Sequence, residues 1–386
     1  MRKTVKRVVI VGAGPAGLYL GYLLKRAQAD FRIEVFEQNP PDATFGFGLA
    51  FSERALEFLK QADSETWAAM QPGLEFWSDS IFYLNRTEIR IDGMGYAGIG
   101  RLRLLQILQA RARSVGIEPH YAHSVCSVDE LGEAELIVGA DGANSLLRKG
   151  KETDFVTSVE LCTNRFAWYG TPKHFEALGH TFIETRQGAF NAHHHRHAPG
   201  LSTFVVETDQ PTFFRCGLDA MPAQEAEAFC ASLFAHTLGG APLISNKSIW
   251  RQFPKVWNEN WSAGNRVLIG DALHTAHFSI GSGTRLAMED AAALARALDD
   301  HATDIPAALT AYEAARKPTA RRLVDAANAS AAWYEHFADH MRLAPFEFAM
   351  SYMTRSGRVD LERLRRTSPE FITAYEAHAH KETLSR

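Results

Sequence analysis

The chain has 386 residues, 46% of them apolar and 22% charged, and a formal net charge of −4. These proportions exclude a disordered, fibrous or membrane-embedded chain, and the weak acidity excludes a global attraction to nucleic acid or anionic membrane. The length suggests two closely packed units. Four irregularly spaced cysteines, Cys126, Cys162, Cys216 and Cys230, form no Cys-x-x-Cys pair, so they indicate neither a zinc site nor a disulfide framework and fit a reducing cytoplasm.

In chain order, Arg2, Lys3, Lys6 and Arg7 precede an apolar run over 8–24 that imitates a signal peptide. The glycines inside it give a better reading. A β-branched strand over 8–11, a glycine turn, a helix and a second strand over 31–37 make a βαβ opening. A helix is expected over 100–116, with Leu102, Leu104, Leu105 and Leu108 at helical spacing, and a buried strand over 134–140 that stops at Asp141-Gly142. Between 162 and 250 aromatic-rich alternating runs at 165–170, 181–185 and 202–207 predict antiparallel sheet. A buried strand over 266–270 and an Ala-rich helix over 283–298 return to the first texture. From 305 onward the pattern is helical, with Tyr312, Leu323, Trp333, Phe337 and Tyr352 supplying apolar faces. No other stretch approaches the ~20 apolar residues a spanning helix needs, so no membrane passage is expected.

Three motifs carry the chemistry. Gly12-Ala13-Gly14-Pro15-Ala16-Gly17 follows a strand and opens a helix, with Glu37 at the end of the next strand, 20 residues past Gly17. Gly12 permits the tight turn, Gly14 admits a pyrophosphate, Gly17 allows close helix packing, and the acid accepts from ribose hydroxyls. This opening fits FAD and NAD equally. The second motif, Gly139 to Ser145 with Arg148 following, reads by itself equally as an ordinary Asp-Gly turn. The third, Gly270-Asp271-Ala272, places a carboxylate at the end of a strand, where it can accept from a ribityl hydroxyl, and leads through His274 and His277 to Gly281-Ser282-Gly283 and a helix start.

With these motifs in this order, the chain resembles the flavoprotein aromatic hydroxylases over essentially its whole length. The resemblance implies an α/β fold: a Rossmann-like FAD-binding domain (1–75, 97–160 and 261–320), an interleaved antiparallel-sheet substrate domain (76–96 and 161–260) and C-terminal helices (321–386). It implies that Gly12, Gly14, Pro15, Ala16, Gly17, Glu37 and Gln38 hold the ADP half of FAD and that Arg101 meets the pyrophosphate. Val125, Asp141 and Gly142 complete the dinucleotide site, Asp271 holds the ribityl chain, and the amides near Gly281 and Gly283 stabilise the reduced flavin. NADH or NADPH would reduce FAD, and reduced flavin would take up O2 as a C4a-hydroperoxide that attacks an electron-rich ring carbon.

The departures are informative. Many members have Pro-Pro where this chain has His277-Phe278, and Asn where it has Arg285. The stretch 277–290, HFSIGSGTRLAMED, with the tail 346–359, resembles members acting on aryl-CoA thioesters; HFSIG and Trp168-Tyr169-Gly170-Thr171 are shared with members acting on indolic substrates. An aryl-CoA thioester is therefore the leading substrate, with indoles and free aromatic acids as alternatives. Phe278 is expected to pack the substrate ring and His277 to hydrogen-bond a phenol or aniline, against the plainer possibility that His277 only packs.

His193, His194, His195 and His197 imitate a metal cluster, but consecutive strand residues point to opposite faces, so a solvated hairpin end is expected and no metal. The basic tail, Arg355, Arg358, Arg363, Arg365 and Arg366, can be read as a CoA-phosphate contact or as a wet helix face. Two other classes compete: a flavin-free dehydrogenase, against which Asp141 and Asp271 speak, and a flavin reductase or redox partner without hydroxylase activity. A halogenase lacks support because no Trp-x-Trp-x-Ile-Pro is present. Monomer and homodimer both remain open.

Overall fold

The computed structural model describes residues 6–27, 30–301 and 303–384; Arg2 and Lys3 lie outside them. A continuous β-branched run is stable only when covered on both faces, and Val8–Val11 is buried in the strand Arg7–Val11 of a five-stranded sheet. Arg32–Phe36 and Leu136–Gly139 flank it in parallel, and Arg266–Leu268 continues the parallel order before the short antiparallel Ser262–Ala263. The 8–24 run is thus divided by the glycine turn into a strand and the helix Pro15–Ala27, which packs against Gly283–Asp300. The last strand stops short of its expected end because Gly270 turns left-handed (φ 60°) and opens a short 3₁₀ turn.

The second sheet has seven strands in the order Ile244–Ser245, Arg165–Thr171, Leu201–Thr208, Ala189–Ala198, Leu178–Glu184, Ser80–Leu84 and Thr87–Ile91. The expectation of a purely antiparallel sheet fails at one pair, since Leu178–Glu184 runs parallel to Ser80–Leu84. These strands come from separate visits of the chain, so no hairpin forces them antiparallel.

Both faces of this sheet are covered. Tyr169, Phe190, Phe204 and Phe234 pack on one face beside the helix Ala223–Leu233. Phe82 and Phe182 face Trp333, Phe348 and Tyr352 from the helices Ile305–Glu335 and Pro345–Thr354 on the other. This double cover corrects the reading of the histidine run: His194, His195 and His197 are buried, and only the Pro199-Gly200 tip is exposed. The alternation of faces holds nonetheless. His194 lies against Phe175 and Phe204, while His193 and His195 stack on each other on the opposite side. A three-stranded sheet, Gly48–Ser52, Tyr96–Gly100 and Glu75–Trp77, joins the two larger ones, with the Gly48 N–H donating to Thr203 Oγ1 at 2.8 Å. Among the described residues no helix is long and apolar enough to cross a membrane.

Candidate active site

Three turns at the carboxyl ends of parallel strands converge. Gly12 has φ +105°, and a Cβ there would stand 2.3 Å from the Ala140 carbonyl oxygen; a Cβ on Gly17 would stand 1.9 Å from that of Gly12. Packing demands both glycines. At Gly14 a Cβ would meet nothing within 4 Å, so the chain's own packing does not require glycine there. A small residue facing open space at a helix start is what an approaching phosphate needs. Glu37 is fixed by the N–H of Ala13 donating to Oε2 (2.9 Å) and by Asn39, whose N–H (2.9 Å) and Nδ2 (2.7 Å) donate to Oε1. Pro15 and Ala16 form the first turn of the helix and Gln38 lies exposed in the following bend. Val125, in an irregular stretch, packs against the core of this domain.

Gly14, Glu37, Thr44, Arg101 and Thr284 line one cleft. Arg101 opens the helix Arg101–Ser114, and its guanidinium lies over Trp168, 5.6 Å from the ring centroid. Burial lowers its proton affinity and the charge of Asp271 opposes this. Among the described residues no carboxylate makes an ion pair with Arg101, which leaves a cation available to an anion in the cleft.

The second and third motifs are tied together by Arg148, whose Nη1 donates to the Ala272 carbonyl (2.9 Å) and Nη2 to that of Ala143. Asp141 Oδ2 accepts the Leu146 N–H at 2.7 Å, whereas its buried Oδ1 has no partner, and burial raises its pKa against hydrogen bonds from Ser145 and the following amides. Gly142 (φ +77°) faces open space. Asp271 is exposed at the turn. The turn itself is anchored by buried Asp290, which accepts the Gly270 N–H at 3.1 Å and lies 3.0 Å from His274 Nε2 and 2.8 Å from Arg316 Nε. Burial alone would raise Asp290, but the charges of His274 and Arg316 hold it below its usual range, and His274 is occupied structurally. Gly281 is left-handed, its would-be Cβ 2.8 Å from the Ala50 carbonyl oxygen, and Gly283 begins the helix Gly283–Asp300. An unpaired Arg101, an exposed Asp271, a partnerless Asp141 oxygen and the vacant surroundings of Gly14 fit an elongated ligand with a diphosphate and a polyol.

Beside the cleft the rings of Phe166, Trp168, His193, Phe253 and His277 surround Phe278, with centroids 4.2–6.4 Å away. His277 is buried at 3% exposure, its Nδ1 2.8 Å from Ser279 Oγ. Burial, with the charges of His193, Arg355 and Lys255 adding to it, pushes His277 down to about 3; burial and Arg355 push His193 to about 4. Both imidazoles are neutral near pH 7. Trp168 Nε1 and both nitrogens of His195 are buried without partners. Sequence reasoning missed Phe166 and Phe253, although alternation over 165–170 does put Phe166 and Trp168 on one face. Arg285 pairs with Glu289 at 2.6 Å. Arg365 pairs with Glu376 on the surface, whereas Arg355 lies over the Tyr352 ring.

The chain matches the FAD binding domain family over residues 132–327 and the NAD(P)-binding Rossmann-like domain over 10–54. It is 39% identical to a salicyloyl-CoA 5-hydroxylase of Streptomyces sp over 91% of this chain and 70% of the relative. It is 34% identical to a 3-hydroxy-4-methyl-anthranilyl-[aryl-carrier protein] 5-monooxygenase of Streptosporangium sibiricum (92% and 95%), and 30% to the protodeoxyviolaceinate monooxygenase of Chromobacterium violaceum (90% and 94%). Among solved structures the fold is shared with 2-methyl-3-hydroxypyridine-5-carboxylic acid oxygenase (TM-score 0.72, 16% identity, 92% of this chain and 98% of that one). It is also shared with PqsL of Pseudomonas aeruginosa (TM-score 0.66, 20% identity, 86% and 96%). With three strand-end turns shaped for a dinucleotide, and with these three monooxygenase or hydroxylase relatives matched over 70–95% of their own length, the chain belongs to the FAD-dependent aromatic monooxygenases.

Proposed function

We propose that this monooxygenase hydroxylates an aromatic ring carried as a neutral thioester, an aryl-CoA such as salicyloyl-CoA, with the ring seated against Phe278. The carrying observation is the charge balance of the aromatic box. The cation behind it, Arg355, donates from Nε to Ser330 Oγ, from Nη2 to the Ser279 carbonyl and from Nη1 to the Tyr352 carbonyl. The imidazoles of His193 and His277 are held neutral by burial. A free carboxylate seated there would lose its hydration, while Arg355, whose charge reaches His277, already donates to Ser330, Ser279 and Tyr352, so its burial would be only partly offset, at a cost of a few kcal/mol; a thioester carries no such charge. Two relatives named for a CoA-linked and a carrier-protein-linked aryl group are in keeping with this.

FAD, reduced by NADH or NADPH and supplied with O2, provides the oxygen-transfer chemistry. Gly12, Gly14, Gly17, Glu37 and Arg101 are assigned to its ADP half and diphosphate, Asp141 and Gly142 to the turn beneath it, Asp271 to its ribityl chain, and the amides at Gly281 and Gly283 to its ring. Segments 1–75, 97–160 and 261–320 would form the cofactor-holding part, and 76–96 with 161–260 the substrate part. Phe278, Phe166 and Trp168 would place the ring, and the enclosing aromatic side chains would exclude water. Free thiols at all four cysteines and dependence on NAD(P)H suit the cytoplasm, without nucleic acid or membrane as partner.

The test is NAD(P)H oxidation, oxygen uptake and product mass with matched thioesters, free acids and indoles. A thioester is expected to exceed its free acid in kcat/KM by about 100-fold, the equivalent of ~3 kcal/mol for a buried charge that is only partly compensated. Equal stimulation by the acid would remove the thioester reading. Asp271→Ala is expected to weaken FAD retention about tenfold, the loss of one hydrogen-bonded carboxylate; full flavin occupancy after dialysis would contradict the assignment.

A further inference from the structure

Behind Phe278 a line of polar groups can be given a direction. Arg355 caps the helix Pro345–Thr354, its guanidinium 3.6 Å from the Tyr352 ring centroid. Arginine offers only donors, so its Nε–H donates to Ser330 Oγ at 2.9 Å. Ser330 Oγ lies 2.7 Å from Ser279 Oγ, which lies 2.8 Å from His277 Nδ1. At the far end the Ser279 backbone N–H, again a donor only, meets the same Nδ1 at 3.4 Å. A hydroxyl can accept twice, so the direction is set at the imidazole end: with Nδ1 accepting the Ser279 N–H, the matching arrangement has Ser330 O–H donating to Ser279 Oγ and Ser279 O–H donating to Nδ1. A neutral imidazole whose Nδ1 accepts carries its proton on Nε2.

We propose that Arg355, Ser330 and Ser279 are positioning residues that lock His277 in the Nε2–H tautomer. Toward the aromatic box His277 is then a fixed hydrogen-bond donor to an oxygen or nitrogen substituent of the substrate ring, and not a base that removes its proton. The tautomer follows from this chain's own residues; only its use on a substrate rests on the reading that the ring lies against Phe278. A preset donor favours negative charge as it develops on a ring oxygen, because no reorganisation is needed when the charge appears. The C-terminal helices, remote in sequence from the dinucleotide motifs, would thereby tune the reacting site.

The experiment is ¹⁵N NMR of the FAD-loaded, histidine-labelled protein, with the His277 signals identified by their loss in His277→Gln. A non-protonated Nδ1 and a protonated Nε2 are expected. Ser330→Ala, which removes a link without removing His277, is expected to move both nitrogens toward a mixture of tautomers and to raise substrate KM. A protonated Nδ1 in the parent protein overturns the proposal. So does a Ser330→Ala variant that loses thermal stability but keeps the nitrogen shifts, since that outcome assigns Ser330 to packing. In turnover, His277→Gln retains a donor and is expected to stay within about tenfold of the parent, while His277→Phe falls about 100-fold, as for one oriented donor. Equal losses in Gln and Phe would refute the donor role. The thioester panel on the parent enzyme tests the substrate reading separately.

Discussion

Acidification from pH 6.5 to about pH 5 is expected to remove on the order of 5 kcal/mol of folding stability. His193 and His197 are pushed down to about 4 and His194 and His277 to about 3, chiefly by burial. In the unfolded chain these groups titrate near 6.5. Between the two values the unfolded state binds more protons, so the stability from neutral burial is complete above 6.5 and is lost as pH falls toward the folded values. One pKa unit corresponds to ~1.4 kcal/mol, so each of the four loses about 2 kcal/mol by pH 5. Glu207 works the other way. Burial raises it to about 8, so acidification returns about 2 kcal/mol from that carboxyl. The net loss approaches the entire stability of an ordinary domain, ~5–15 kcal/mol. Urea midpoints and melting temperatures measured between pH 7 and pH 5 are the check, with a fall in Tm of roughly 5 °C expected. A Tm independent of pH over that range would show that these histidines do not enter the fold as neutral groups.

The second large effect separates two glycines of one motif. Gly17→Ala is expected to destabilise the protein with or without flavin, because its Cβ would fall 1.9 Å from a backbone oxygen that cannot yield. Moving the helix away from its strand end costs ~3 kcal/mol or more, in the upper range for overpacking, and displaces the helix start from any phosphate it holds. Gly14→Ala has nothing within 4 Å of its Cβ. Its flavin-free melting temperature is therefore expected to match the parent, while FAD affinity is expected to fall about 100-fold, because the methyl would occupy the space proposed for the diphosphate. Flavin occupancy by absorbance and Tm of the apoprotein check both variants. A Gly14→Ala protein that keeps its flavin would place the diphosphate elsewhere.

Local patterns were legible where the chemistry is local. The β-branched run at 8–11, the glycine turn and Glu37 announce a strand, a tight turn at a helix start and a carboxylate at the next strand end within about thirty residues, a combination suited to a dinucleotide. The Asp141 turn was ambiguous because an Asp-Gly turn has the same composition with or without a ligand. Its meaning comes from Arg148, which bonds it to the turn at Asp271 across the sheet. The histidine run misled for a related reason. Alternation predicts which side chains share a face, but not whether a helix covers that face.

The sequence by itself determined the dinucleotide opening, the return to that fold after a β-rich insertion, the helical tail, and His277-Phe278 as the pair to watch, because each follows from neighbouring residues. Tertiary structure alone decided that the histidines are buried, that one strand pair is parallel, and that Phe166, Trp168, His193 and Phe253 gather around Phe278. It alone decided, too, that Arg355 reaches His277 through two serines. Burial and hydrogen-bond direction depend on what packs on the far side of an element, and those partners come from residues about fifty to 150 positions away.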